Sequence, residues 1–247
     1  MKPLLAWTAA LVVVVVPART LALQDRASQS DRQLKAAVQR AVAEVGGPRL
    51  TVEVSGGGVT LTGEVPTLWS KQEAIKRALK AAGVPTIVSE VTIGKAESDE
   101  VLVREVADRI RKYDRYSVYD DIEGRIRNGV VSLTGAVTAP EKLSDILERV
   151  ARVRGVQDIN NKIQVLPVSR SDDRLRVIIA TAIYRDQAFE NYSMVDPPVH
   201  VIVENGHVTL TGFVRSEVER IKAESIARSF TDVLTLANKV QVVGKQR

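Results

Sequence analysis

His200 and His207 are the residues of this chain best suited to proton transfer or metal ligation near neutral pH, where an unperturbed imidazole titrates. They lie seven positions apart in one stretch, and no third ligand stands at a spacing that would close a metal site. Both read as exposed strand residues. The 247 residues contain no cysteine, which excludes thiol nucleophiles, thiolate metal sites, disulfides and a lipid anchor carried on cysteine. Carboxylates are numerous but alternate with cations on helical stretches, as in Glu105, Asp108, Arg109 and Arg111, the pattern of a solvated face. No Ser, His and Asp set recurs in a shared context. The expectation is a non-enzymatic protein with no cofactor and no metal.

Glycine could serve phosphate chemistry, and one glycine pattern occurs three times. Gly-x-Val-(Thr/Ser)-Leu-Thr-Gly-x-Val spans Gly57 to Val65, Gly129 to Val137 and Gly206 to Val214. A phosphate cradle needs a longer glycine-rich loop, a lysine and a following helix N-terminus. Here the runs read as strands. Residues Gly56-Gly57, Asn128-Gly129 and Asn205-Gly206 accept the positive φ of a tight hairpin. The second glycines, Gly63, Gly135 and Gly212, sit inside a strand pattern and mark a close backbone approach, expected against the following helix.

Two groups could bind a surface. At helical spacing Trp69, Lys76, Lys80 and, farther round, Arg77 project opposite Ala74, Ile75 and Ala78, with Glu73 on the same side. An indole beside lysines suits an anionic headgroup layer; the alternative is a solvated face whose tryptophan packs on a neighbouring module. Aromatic residues also gather at Tyr113, Tyr116 and Tyr119, and again at Tyr184, Phe189 and Tyr192. Tyr116, Tyr119 and Tyr192 are the candidates for partner contact, the alternative being closure of a small core or a contact between domains.

The elements that must hold these residues follow from periodicity. Ser98-Asp99-Glu100 precedes Leu102, Val106, Ile110 and Tyr113, and Ser171-Asp172 precedes Leu175, Ile178, Ile179 and Ala182. In the first copy Ser30-Asp31 is expected to start a helix through Leu34, Val38 and Val42 that ends at Gly46-Gly47-Pro48. Leu50, Val52 and Val54 alternate as a strand, as do Val199, Val201 and Val203. Beyond each nonapeptide, Ala74 and Ala78, Ile146 and Val150, and Ala223 and Ala227 stack on one helix face. A five-residue alternating strand closes each copy, at 89–93, 161–165 and 238–242. The fold class is α+β: three tandem small α-β-β-α-β modules, each two helices packed on a three-stranded sheet, at 31–95, 98–166 and 171–243. Modules of this size have small cores.

Ahead of them, Met1-Lys2, an apolar run from Leu4 to Val16 and Thr20-Leu21-Ala22 have the anatomy of a secretory signal peptide over 1–22. The run falls short of the ~20 residues a spanning helix needs. Export to the periplasm or beyond, without a lipoprotein anchor, is the expectation. Positive charge concentrates in 31–95, with nine basic against six acidic residues. No basic stripe carries regular stacking aromatics, so nucleic acid is not an expected partner.

The module order, the hairpin nonapeptide, the Gly83-Val84 and Gly155-Val156 turns and the closing Asn161-Lys162 and Asn238-Lys239 strands resemble the BON domain. That family is named for osmotically induced periplasmic proteins and nodulation proteins of bacteria. The resemblance implies a non-catalytic envelope protein that associates with phospholipid surfaces and supports envelope integrity under osmotic stress. Its partner would be an anionic phospholipid surface or an envelope protein. The second reading is a structural module making protein or cell-wall contacts. The chain departs from the pattern at Ser89-Glu90, which replaces Asn-Lys in the first copy, and at Asp232, which replaces glycine in the third.

Overall fold

A computed structural model describes residues 18–46, 49–83, 86–95 and 97–243. The apolar run of the leader lies outside the described residues; Thr20 to Ala22 fall within the first helix. Each module has the expected order. The first comprises α1 (Ala18–Gly46), β1 (Leu50–Ser55), β2 (Gly58–Val65), α2 (Leu68–Ala82) and β3 (Val88–Ile93). The second comprises α3 (Asp99–Arg111), β4 (Asp121–Arg127), β5 (Val130–Val137), α4 (Pro140–Ala151) and β6 (Asp158–Val165). The third comprises α5 (Arg170–Arg185), a 3-10 turn at Gln187–Phe189, β7 (Val199–Glu204), β8 (His207–Val214), α6 (Glu217–Arg228), β9 (Thr235–Asn238) and β10 (Gln241–Val242).

Two compact units result: residues through Gly63 with Glu73–Val91, and Glu64–Gln72 with the residues from Thr92 onward. In the first, Val38, Val42, Leu50, Val52, Val59, Leu61, Ala74, Ala78 and Val91 are buried. The second holds two cores. One gathers Leu102, Val106, Ile110, Leu133, Ile146 and Val150, and the other Ile179, Ile183, Phe189, Val201, Leu210 and Ala223. Each fully buried Leu, Ile or Phe contributes roughly 1.5–3 kcal/mol, so a handful per core carries these small domains.

Every hairpin pairs antiparallel, and in the second and third modules the last strand adds parallel to the middle one, as a strand-helix-strand crossover requires. Asn128 and Gly129, and Asn205 and Gly206, take positive φ at the two-residue turns. The second glycine has a different reason than expected. A Cβ at Gly63, Gly135 or Gly212 would stand 2.0, 2.1 or 2.2 Å from the carbonyl oxygen of Arg49, Asp121 or Pro198. The close approach is therefore to the backbone entering the paired first strand, not to the following helix.

Helix starts differ in two places. Ser98 caps α3 by accepting the amide of Val101, as its type predicts. The cap of α5 is Ser169, two residues before the expected pair. Ser30-Asp31 starts nothing, because α1 is already helical from Ala18. Asp31, Asp99 and Asp172 do the same thing in the three copies, each carboxylate accepting both amides of its hairpin turn at 2.8 to 3.0 Å. This fork ties each first helix to its hairpin. In the buried third copy the environment shifts the acid itself. Desolvation pushes the Asp172 carboxyl up, but the Gly206 and Asn205 amides, the Ser169 hydroxyl and Arg176 together hold it below the usual range.

The closing strands are not equal. β6 pairs with β5 without a break, whereas β9 and β10 flank an interruption at Lys239-Val240 in unchanged register, giving the third sheet four strands. Asn161 and Asn238 use the same device at this place, the side-chain oxygen accepting the amide two residues on. In the first copy Ser89 stands there, and its buried hydroxyl has no partner among the described residues.

Candidate functional site

The lysine side of α2 separates into free and occupied cations. Lys76 keeps 82% of its side-chain exposure with Glu73 only at 4.0 Å, and Lys80 is exposed. Arg77 is engaged, donating to Glu73 at 2.8 Å and to Glu44 at 2.6 Å. Trp69 is half-buried in the second unit, packed beside Leu68 against the Leu102 core, with the Arg152 guanidinium 3.6 Å above its ring. The indole is thus engaged by both a cation and the core.

The aromatic segments are straps between a helix and the first strand. In the second module Tyr113 is buried and donates to Asp145 at 2.6 Å; burial, then that carboxylate, pushes its hydroxyl up to about 12. Beyond it the chain runs through Tyr116, Val118 and Tyr119 onto the third module. Val118 is 2% exposed and belongs to the third module's core, and its carbonyl accepts the Val201 amide at 2.8 Å. The strap therefore covers the outer edge of β7. Tyr119 packs on the same core, and Tyr116 stands 5.6 Å from the His200 ring. Burial raises the Tyr116 and Tyr119 hydroxyls.

A buried carboxylate anchors this strap. Asp120 is fully buried and accepts from the amide and hydroxyl of Ser117, the amide and hydroxyl of Thr138, and Lys142 at 2.5 Å. With its oxygens so satisfied, the ion pair meets the condition under which a buried charge is tolerated. Beside it the expected exposure of His200 is corrected: the residue is buried, because the strap lies over this face of β7. Burial lowers the His200 pKa against the opposing pull of Asp121 and Asp120, and burial raises that of Asp121. His207 is exposed, as expected, and its Nδ1 meets the Thr235 hydroxyl at 2.7 Å.

In the third module Tyr192 packs on Phe189, donates to Glu219 at 3.2 Å and lies under Arg215. The residues after it are open. Met194 and Val195 are exposed, the latter at 89%.

The second module carries an apolar hollow. A groove of about 280 Å³ runs between α3 and the outer edge of β4, lined by Val103, Val106, Ala107, Ile110, Ile122, Gly124 and Ile126, with Arg111 and Tyr116 at its borders. Other hollows, around Arg109, Arg149 and Arg152, mix both charges. Among the described residues no three His, Asp or Glu side chains cluster to hold a metal, and no helix is long and apolar enough to cross a membrane. Sequence reasoning misses both the groove and the Asp120-Lys142 anchor. Exposed Val103 on α3 is the available signal for the groove; the anchor pair, 22 residues apart, leaves none.

The family described as BON domain matches three times, at residues 30–95, 98–167 and 171–244. No curated protein matches. Among solved structures the chain is similar, at 15% identity, to CdsD, a structural protein of the type III secretion system of Chlamydia trachomatis, over 85% of this chain and 92% of that one, with a TM-score of 0.26. At 14% identity it is similar to the periplasmic domain of the type III secretion inner membrane protein PrgH from S. typhimurium, over 79% and 94%, with a TM-score of 0.21.

Proposed function

The chain belongs to the BON domain family throughout its three modules, and from that premise we propose that it works without catalysis at the bacterial envelope, associating with anionic phospholipid surfaces and supporting envelope integrity under osmotic stress. The observation that carries this reading is the solvent-facing pair Lys76 and Lys80 on α2, one turn apart and, among the described residues, not consumed by close ion pairs. Each lysine held near an anionic bilayer contributes on the order of 1 kcal/mol, so the pair gives a weak, salt-sensitive contact that repeated copies on a vesicle would strengthen. Arg77 adds to the local field while engaged with its carboxylates. Trp69 stays in the reading only as packing that fixes the start of α2, since Arg152 covers its ring. Export by the leader would place the modules where such surfaces are met.

The test is co-sedimentation with vesicles, anionic against zwitterionic, at low and high salt. Binding to anionic vesicles should weaken several-fold in Lys76→Ala/Lys80→Ala and fall with salt. Equal recovery with both vesicle types, or binding indifferent to the lysines, would sink the lipid reading and favour contacts with protein or cell wall.

A further inference from the structure

The third module shows what the groove of the second is shaped to receive. Matching Asp99 to Asp172 and Gly135 to Gly212, the groove residues Val106, Ala107, Ile110, Ile122, Gly124 and Ile126 correspond to Ile179, Ala180, Ile183, Val199, Val201 and Val203. The latter six are all fully buried, while Ala107 and Gly124 are exposed and Ile122 and Ile126 half-exposed. The strap of the preceding module makes this difference: Val118 enters the core beside α5 and β7 and pairs with Val201. Gly124 sits opposite Leu133 as Val201 sits opposite Leu210, so the Gly124 amide points out from the β4 edge in the same way. It has no acceptor among the described residues.

The chain also carries a strap without a groove. Tyr192-Ser193-Met194-Val195 repeats Tyr116-Ser117-Val118-Tyr119, down to the same local turn, in which the Ser193 hydroxyl accepts the Val195 amide at 3.1 Å and that of Ser117 the Tyr119 amide at 3.3 Å. Met194 takes the place of the buried Val118 yet is 38% exposed. In the first module Gln39, in the place of Ala107, donates to the Leu50 carbonyl at 3.1 Å and so puts a polar side chain where the second module has an apolar one.

We infer that the α3/β4 groove binds the Ser193–Val195 strap of a second copy of this chain, by strand addition at Gly124 with Met194 seated among Val103, Ala107 and Ile126. Acidic Glu190 and Asp196 flank the strap, and Arg111 at the groove, although it meets Asp108 at 3.2 Å, keeps 67% of its side chain exposed for a second partner, which favours this pairing. Groove and strap are different surfaces, so the contact is heterologous and a pair of copies still has one free groove and one free strap, propagating a row or closing a ring.

Sedimentation of the full chain between about 1 µM and 1 mM, a range spanning weak association, tests this. The mass should rise with concentration, and Ala107→Arg, which fills the groove at an exposed position, and Met194→Asp, in the strap, should each abolish the rise. Mixed together, the two variants should form dimers and stop there, since each retains the half the other lacks. A chain that stays monomeric throughout, or an assembly that survives both substitutions, overturns the inference.

Discussion

β4 and β7 are the same strand of the same module, yet one presents a bare edge over an apolar groove and the other is covered by a strap from its neighbour. Their frames agree residue for residue in turn, carboxylate fork and strand-entry glycine. The difference comes from the strap that the second module lays over the third. A repeated domain need not repeat its surface, because a covered edge becomes core and an uncovered one remains a surface for exchange.

The largest effect should come from breaking what the two modules share. Gly135→Val and Gly212→Val each drive a side chain into a backbone carbonyl near 2 Å and should cost about 4 kcal/mol or more, comparable to the whole stability of a small module. Circular dichroism melts of each should show loss of one module's cooperative transition. If both variants melt like the parent, the glycines do not have the role assigned.

A smaller effect separates the modules. Lys142→Met leaves Asp120 charged and fully buried, and should cost about 3–5 kcal/mol in urea titration. Its counterpart Glu219→Ala removes a capping-box carboxylate at a half-exposed site and should cost about 1 kcal/mol. Equal losses would mean that the strap is not anchored by the ion pair.

The smallest effect is a pH slope. His200 has a folded pKa below its ordinary ~6.5, so the unfolded chain binds the proton more readily and stability falls as pH drops below that value. Asp121 acts oppositely: its raised folded pKa gives stability that is present in acid and lost as pH rises through that value. Tyr116 and Asp120 also face the imidazole, and Lys239 acts on Asp121. The melting temperature should decline gently from pH 7.5 to 5.5, and His200→Phe should flatten that decline. A slope unchanged in the variant assigns it to other groups.

Much of this frame is legible in the sequence because its signals are local. Alternation in Val199, Val201 and Val203, four-residue spacing in Ile146 and Val150, and Asn-Gly at the turns each depend on neighbours in sequence. Asp31 and Asp172 are conspicuous for the same reason, yet the sequence misleads about what they do: an acid at a helix start looks like a cap, and its real partners lie 25 and 34 residues away. Tyr116 and Tyr119 are identifiable as contact residues, but the sequence leaves open whether the contact is with a partner or between domains of the chain. His200 and Trp69 show the same limit. Packing on a neighbouring module is one of the two readings of Trp69, but nothing in the local sequence points to Arg152 over its ring or to a strap over His200.

The Val118–Val201 pairing also bears on how the chain acquires its structure during synthesis. Emerging N-terminus first, the second module can close its own sheet once β6 is complete. Its strap must then wait, with Val118 uncovered, until β7 has emerged as well. During that interval the nascent chain displays the apolar strap that the finished protein conceals, and a chain stopped after β6 would keep it on display.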